Sequence, residues 1–162
     1  MKKVGGRNIK TAISVFICIS IFQLLNSPYP FYVCIAAVIC MQKSVHNSFV
    51  IGKNRMIGTV IGGFIGYILF VSMGNSALVC GLGIILVIYS CNLFNQDGSV
   101  AISCIVFIAI MTNLKGIPAH IYAVNRVIDT FIGILVSIFI NRFINFRTSK
   151  MKWIDLEDKN NI

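Results

Sequence analysis

Charged side chains are scarce in this sequence of 162 residues, where Asp, Glu, Lys and Arg together make up only 12%. Soluble domains carry about 25% of these residues, which cover their surface with hydrated groups. Apolar residues instead make up 57% of the chain, and the mean hydropathy is +0.85. The shortage of charge excludes a soluble globular domain, and the high hydrophobicity excludes a disordered chain. The composition therefore predicts an integral membrane protein.

Acidic residues are rarer still, because the sequence contains only five Asp and Glu residues. It has no phosphate-binding loop, no nucleophile elbow and no pair of carboxylates at catalytic spacing. The six cysteines all lie in apolar runs, without a Cys-x-x-Cys pair, so we interpret them as small apolar side chains. The sequence predicts no enzyme, no cofactor and no metal site, and it excludes an ATP-driven pump made by this chain alone.

Six long apolar runs divide the chain, and a membrane-spanning helix needs about 20 residues. The runs do not alternate with the period of two that strands of an outer-membrane barrel show. We predict an all-α protein with six transmembrane helices in one domain over residues 1–147, followed by a polar cytoplasmic tail over residues 148–162. The runs are Thr11–Leu25, Phe31–Met41, Met56–Met73, Ala77–Phe94, Val100–Met111 and Ile121–Ile140.

The basic residues are distributed unevenly along the chain. A net charge of +9 is typical of nucleic-acid binders, but these residues lie at the chain ends and in loops, so we expect no nucleic-acid partner. Cytoplasmic segments of membrane proteins collect Lys and Arg. Twelve of the 14 basic residues fall on the side of the two termini, which predicts that both termini are cytoplasmic. The twelve are Lys2, Lys3, Arg7 and Lys10, then Lys43, Lys53 and Arg55 in a loop before the third helix, then Arg142, Arg147, Lys150, Lys152 and Lys159.

A weak internal repeat relates the two halves of the sequence. The segment Asn54–Gly62 resembles Asn125–Gly133, with Asn, Arg, Ile, Thr and Gly recurring at an offset of 71 residues. We predict two repeats, at about residues 8–74 and 77–146. Each repeat holds three helices, an odd number, so the two copies would have opposite orientations in the membrane. Inverted repeats of this kind are a common design of transporters.

The second and fifth apolar runs are short and occupy corresponding positions in the two repeats. The offset of 71 residues carries Phe31–Met41 onto Ile102–Thr112, and it carries the turn Asn26–Pro28 onto Asp97–Ser99. A pair of short segments in corresponding positions indicates a transporter's binding site. Alternatively, polar flanks such as Gln42 onward prolong both runs into ordinary helices.

Arg126 and Asp129 are three residues apart near the start of the sixth run, so they share one face of a helix. Ionisable residues within a membrane usually face the bundle interior. We expect Arg126 to attract an anionic substrate, and Asp129 to hold it or to take part in proton coupling. The alternative is an interfacial ion pair that fixes the depth of the helix. Arg55 is the counterpart of Arg126, although Gly58 replaces the Asp, and its alternative role is that of a snorkelling residue.

A stripe of glycines follows Arg55 at intervals of four residues, Gly58, Gly62 and Gly66, and Gly133 matches Gly62 in the second repeat. Small residues at this spacing allow another helix to approach closely. We expect this contact within the bundle, and a dimer interface is the alternative.

Five segments of the sequence carry a family resemblance: Gly6–Ala12, Pro30–Tyr32, Ile39–Gln42, Gly52–Thr59 and Asn125–Gly133. They resemble the aromatic acid exporter family, which is related to the fusaric-acid-resistance proteins, and the resemblance covers roughly residues 5–147. The resemblance implies a six-helix module of the bacterial inner membrane that is linked to the export of aromatic carboxylates. It also implies a homo-oligomer, for which a dimer is our expectation. Many relatives carry a cytoplasmic domain after the sixth helix, where this sequence continues for about twenty residues past Asn141, enough for a short amphipathic helix.

These observations favour a transporter in the lipid bilayer that exports small organic anions, such as aromatic carboxylic acids. The membrane potential or a proton gradient would drive it. An anion channel-like pore and a non-transporting scaffold or partner subunit are the alternatives. The predicted substrate-binding residues are Arg126, Asp129, Arg55, Thr59, Thr130, Phe31 and Tyr32.

Overall fold

A computed structural model describes residues 6–25, 30–112 and 116–144 of the chain. Within these ranges the protein is all-helical, as predicted, with six α-helices, a short 3₁₀ helix at Asp97–Ser99 and no β-strand. The predicted turn at Asn26–Pro28 and the tail lie outside the described residues. The helices are α1 (Gly6–Leu24), α2 (Phe31–Cys40), α3 (Val45–Met73), α4 (Ala77–Leu93), α5 (Val100–Met111) and α6 (Ala119–Phe143).

Three of the described helices are long and apolar enough to cross a membrane. These are α1, α3 and α6, with 19, 29 and 25 residues. The helices α2, α4 and α5 are apolar but shorter, with 10, 17 and 12 residues. Large apolar side chains such as Phe16, Leu82 and Phe139 are mostly exposed on the outer surface of the bundle. A surface of this kind is typical of contact with lipid rather than with water.

The third helix begins much earlier than the apolar pattern predicts. Ser44 caps α3, because its hydroxyl accepts a hydrogen bond of 3.1 Å from the backbone N–H of Asn47. Our prediction that Lys53 and Arg55 lie in a loop is therefore wrong, since both are inside α3. Hydropathy marked this stretch as polar, but one helix can direct Lys53 outward and Arg55 into the bundle.

Both short helices remain short in the structure. The helix α2 ends at Cys40, and the next residue, Met41, has extended backbone angles. The helix α5 ends at Met111, with Thr112 in a turn. The polar residues Gln42 and Thr112 thus do not prolong these helices.

The two halves of the chain make corresponding helix contacts. If α1, α2 and α3 are exchanged with α4, α5 and α6, the same pairs of helices remain in contact. The helix α1 packs against α2 and α6, and correspondingly α4 packs against α5 and α3. The helix α2 lies along α6, α5 lies along α3, and α3 and α6 pack against each other. The apolar clusters pair in the same way. Cys18, Phe22, Val33 and Ala37 of α1 and α2 contact α6, and Val87, Phe107 and Met111 of α4 and α5 contact α3.

Gly62 of α3 and Gly133 of α6 allow close contacts between helix backbones. A Cβ atom on Gly62 would overlap the carbonyl oxygen of Ser103 in α5. A Cβ atom on Gly133 would lie 2.5 Å from the carbonyl oxygen of Val33 in α2. Only glycine leaves room for backbones this close, so these two positions set the spacing of the α3–α5 and α6–α2 pairs.

Candidate functional site

Two arginines, one from each half of the chain, are buried inside the bundle. The side chain of Arg55 on α3 is 4% exposed, and that of Arg126 on α6 is 5% exposed. The two guanidinium groups are close enough for their charges to interact, and Asp129 is close enough to interact with Arg126. Moving a charged side chain from water into a protein interior costs roughly several kcal/mol, unless opposite charges or hydrogen bonds compensate for it. Buried charges in an apolar bundle are therefore a functional-site hypothesis by default.

Several donors of these arginines lack acceptors. The buried Nε of Arg55, and Nε and Nη1 of Arg126, have no hydrogen-bond partner. A guanidinium has five N–H donors in a planar fork that matches the oxygens of a carboxylate or phosphate. Leaving such a donor unsatisfied costs about 1–3 kcal/mol, and more when it is charged. A bound anion would supply acceptors of the kind that these donors lack.

The ring of Tyr32 covers one face of the Arg126 guanidinium, and Tyr122 is hydrogen-bonded to Tyr32. The Cζ atom of Arg126 lies 3.6 Å from the centroid of the Tyr32 ring on α2, which is a cation–π contact. The hydroxyl of Tyr122 on α6 donates a 3.0 Å hydrogen bond to the hydroxyl of Tyr32. The two rings are 6.1 Å apart at 85°. This pair joins α2 to α6 beside the guanidinium and so fixes its orientation.

The sequence reasoning did not select Tyr122. A signal for it was available, because Tyr122 and Arg126 are four residues apart and therefore share a face of α6. Tyr32 was selected as a substrate contact, and the structure places its ring on the protein's own arginine. Phe31, selected with it, is 64% exposed and contacts the edge of the Tyr32 ring at 5.4 Å between centroids. The structure thus brings Tyr32, but not Phe31, into the buried cluster.

Thr59 and Thr130 follow Arg55 and Arg126 by one helical turn. Thr59 and Thr130 are each 1% exposed. The hydroxyl of Thr59 donates a 2.9 Å hydrogen bond to the carbonyl oxygen of Arg55, so this hydroxyl has a partner within its own helix. Since residues four apart share a helix face, each threonine lies on the same face of its helix as the preceding arginine.

The glycine stripe of α3 faces α5. A Cβ atom on Gly58 would lie 2.7 Å from the carbonyl oxygen of Ser99, and one on Gly66 would lie 3.2 Å from the side chain of Ile110. The helix α5 therefore packs on the face of α3 that carries these glycines, so this contact lies within the bundle.

A second polar cluster joins the ends of several helices, and sequence reasoning did not select it either. Asn141 near the end of α6 donates from Nδ2 to the hydroxyl of Ser48 at 2.9 Å and to the carbonyl oxygen of Gln42 at 3.0 Å. Lys10 of α1 donates to Oδ1 of Asn141 at 3.1 Å. These hydrogen bonds fix the ends of α1, α3 and α6 relative to one another.

The comparisons with known proteins identify the family. The sequence model of a family described as aromatic acid exporter family member 1 matches residues 2–144. The chain belongs to this family. Membership in this family and the apolar helices together identify the chain as a membrane protein of an exporter family.

Across the residues that the structure describes, no group of three or more His, Cys, Asp or Glu could hold a metal ion.

Individual relatives are more distant and longer. The chain is 26% identical over 139 residues to the UPF0421 protein YgaE of Bacillus subtilis, which covers 86% of this chain and 39% of the relative. It is 27% identical over 141 residues to a UPF0421 protein of Bacillus cereus, covering 87% of this chain and 39% of the relative. The chain therefore spans about two fifths of the length of these relatives. No solved structure matches it significantly.

Proposed function

We propose that this chain is the membrane-embedded part of a transporter that exports small organic anions, with aromatic carboxylates as the favoured class. The observation that carries the proposal is the pair of buried arginines whose unsatisfied donors lie between the two halves of the bundle. The description of the matching family as an aromatic acid exporter supports the class of substrate. The membrane potential or a proton gradient would drive the export.

The proposal includes two inverted repeats of three helices, with all six helices in a bacterial inner membrane and both termini in the cytoplasm. The exchange of helix contacts between the two halves supports the repeat. The matching positions of Gly62 and Gly133, and of Arg55 and Arg126, support the offset of 71 residues. The basic residues near the chain ends support the orientation. Assembly as a homo-oligomer stays a prediction.

Transport in this scheme follows from the position of the arginines between repeats. Both side chains are almost completely buried, so this conformation is closed to the aqueous phases on either side. Separating α2 from α6 would uncover Arg126, and separating α5 from α3 would uncover Arg55. If the two repeats exchange conformations, the anion is exposed first to one side of the membrane and then to the other.

The test is efflux of labelled benzoate from proteoliposomes that contain the purified full chain. Arg126→Ala and Arg55→Ala should each lower the initial rate about tenfold or more, because charge-assisted hydrogen bonds contribute about 1.5–3 kcal/mol each. The matched control is Arg142→Ala, since Arg142 is exposed at the end of α6 and should leave the rate unchanged.

Three results would contradict the proposal. Equal flux in all four proteins would remove the roles of Arg55 and Arg126. Unitary currents far above transporter turnover would replace the transporter with an anion channel-like pore. Absence of flux, with copurification of a second membrane protein, would replace it with a partner subunit.

A further inference from the structure

The buried charges of the arginine site do not cancel. Among the described residues, the ionisable side chains of Asp, Glu, Lys and Arg that are buried are Arg55, Arg126 and Asp129. Two positive charges and one negative charge leave the site with a net charge of +1. A buried uncompensated charge is unfavourable, and one bound negative charge would cancel this one.

The repeat explains why only one acidic residue is present. Asp129 of α6 corresponds to Gly58 of α3. A Cβ atom on Gly58 would lie only 2.7 Å from the carbonyl oxygen of Ser99 and 3.0 Å from Cβ of Ile102. A carboxylate at position 58 would thus require α5 to shift, whereas Asp129 is accommodated on α6 with 8% of its surface exposed. Packing therefore makes the two halves of the site electrically unequal.

The number of buried unsatisfied donors suits one carboxylate group. They are Nε of Arg55, and Nε and Nη1 of Arg126. The two oxygens of a carboxylate accept about four hydrogen bonds. One carboxylate therefore offers at least as many acceptor positions as there are donors in this set, and a second carboxylate on the same ligand would meet no further uncompensated positive charge.

We propose that Asp129 determines the valence of the transported anion, so that the site binds one monovalent carboxylate and discriminates against dicarboxylates. This proposal rests on the proposed function, because it assigns the charge of the substrate to the same arginine site. Asp129 acts here as a specificity-determining residue: it lowers the charge of the site from +2 to +1.

The experiment is equilibrium binding to the purified full chain in detergent, measured by calorimetry at neutral pH. The probes are monomethyl terephthalate and terephthalate, which have the same ring and nearly the same length but carry one and two negative charges. The wild-type protein should bind the monoester at least tenfold more tightly. Asp129→Asn raises the charge of the site to +2 and should shift the ratio of the two affinities toward terephthalate by at least tenfold. The matched control is Asp97→Asn, an exposed acidic residue between α4 and α5, which should leave the ratio unchanged.

The outcomes separate this proposal from the one on which it rests. Equal binding of both probes by the wild-type protein, or an unchanged ratio in Asp129→Asn, would overturn the assignment of valence while leaving the anion site intact. Binding of neither probe would overturn the proposed function itself. If Asp129→Asn does not fold, the wild-type ratio together with Asp129→Glu, which keeps the charge and should keep the preference for the monoester, still decides the question.

Discussion

Replacing Gly62 by Ala tests how closely α3 and α5 must approach each other. The added Cβ atom would overlap the carbonyl oxygen of Ser103 and lie 2.8 Å from its carbonyl carbon. These are backbone atoms in the middle of α5, which cannot move aside as the end of a long side chain could. The two helices must therefore separate, and the buried face between them must lose contacts.

The size of the effect follows from two opposing terms. Alanine is a better helix former than glycine by about 0.8–1.0 kcal/mol, which favours the variant. Forcing an extra carbon into a packed interior costs about 1–3 kcal/mol, and an overlap with backbone falls at the upper end. The matched control is Gly63→Ala on the same helix, where the new Cβ would lie 3.7 Å from Cβ of Ala123, an ordinary contact. We expect a net loss of about 1–2 kcal/mol for Gly62→Ala and no loss for Gly63→Ala.

The assay is thermal unfolding of the purified protein in detergent, followed by loss of helical circular dichroism. For a chain of this size, 1 kcal/mol corresponds to a change of about 2–4 °C in Tm. Gly62→Ala should lower Tm by about 2–8 °C, and Gly63→Ala should leave it unchanged or raise it. The equivalent variant of the second half, Gly133→Ala, should behave like Gly62→Ala, because its Cβ would lie 2.5 Å from the carbonyl oxygen of Val33. Equal Tm values for Gly62→Ala and Gly63→Ala would refute the close approach of α3 to α5.

Two further predictions concern the tyrosine pair and the polar cluster. Tyr122→Phe removes the hydroxyl that donates to Tyr32, so Arg126 should lose part of its positioning, and the Kd for benzoate should rise about 2- to 10-fold, as a hydrogen bond contributes about 0.5–1.5 kcal/mol. An unchanged Kd in the same titration would show that the pair does not position Arg126. Asn141→Ala removes the partner of Ser48 and Lys10, which should lower the free energy of unfolding by about 1–3 kcal/mol and leave the Kd for benzoate unchanged. A raised Kd would instead make this cluster part of the binding site.

The apolar runs predicted the helices well where their ends coincide with polar turns. The fifth run, Val100–Met111, is identical to α5, and the fourth differs from α4 by one residue. The apolar pattern did not predict the start of α3, because Lys53 and Arg55 lower the local hydropathy and so interrupt the apolar run. The backbone there is helical, and the bundle accepts the guanidinium of Arg55 in its interior.

The candidate site was only partly predictable, for a physical reason. Local spacing identified Arg126 with Asp129, because residues three apart share a helix face. The contact of Arg126 with Tyr32 joins helices that are far apart in the sequence, and no local pattern encodes it. Tyr122 could have been chosen by its spacing, but Tyr is common on apolar helix faces, and its role depends on the position of Tyr32.

The central claim is that Arg55 and Arg126 hold one anion together, and a double-mutant cycle tests it most directly. The measurement is the Kd for benzoate of the purified wild-type chain, Arg55→Ala, Arg126→Ala and the double variant. If both arginines contact the same carboxylate, each single variant should lose about tenfold or more in affinity, and the double variant should lose much less than the product of the two. Losses that multiply would indicate independent action, and unchanged affinity in either single variant would contradict the shared site.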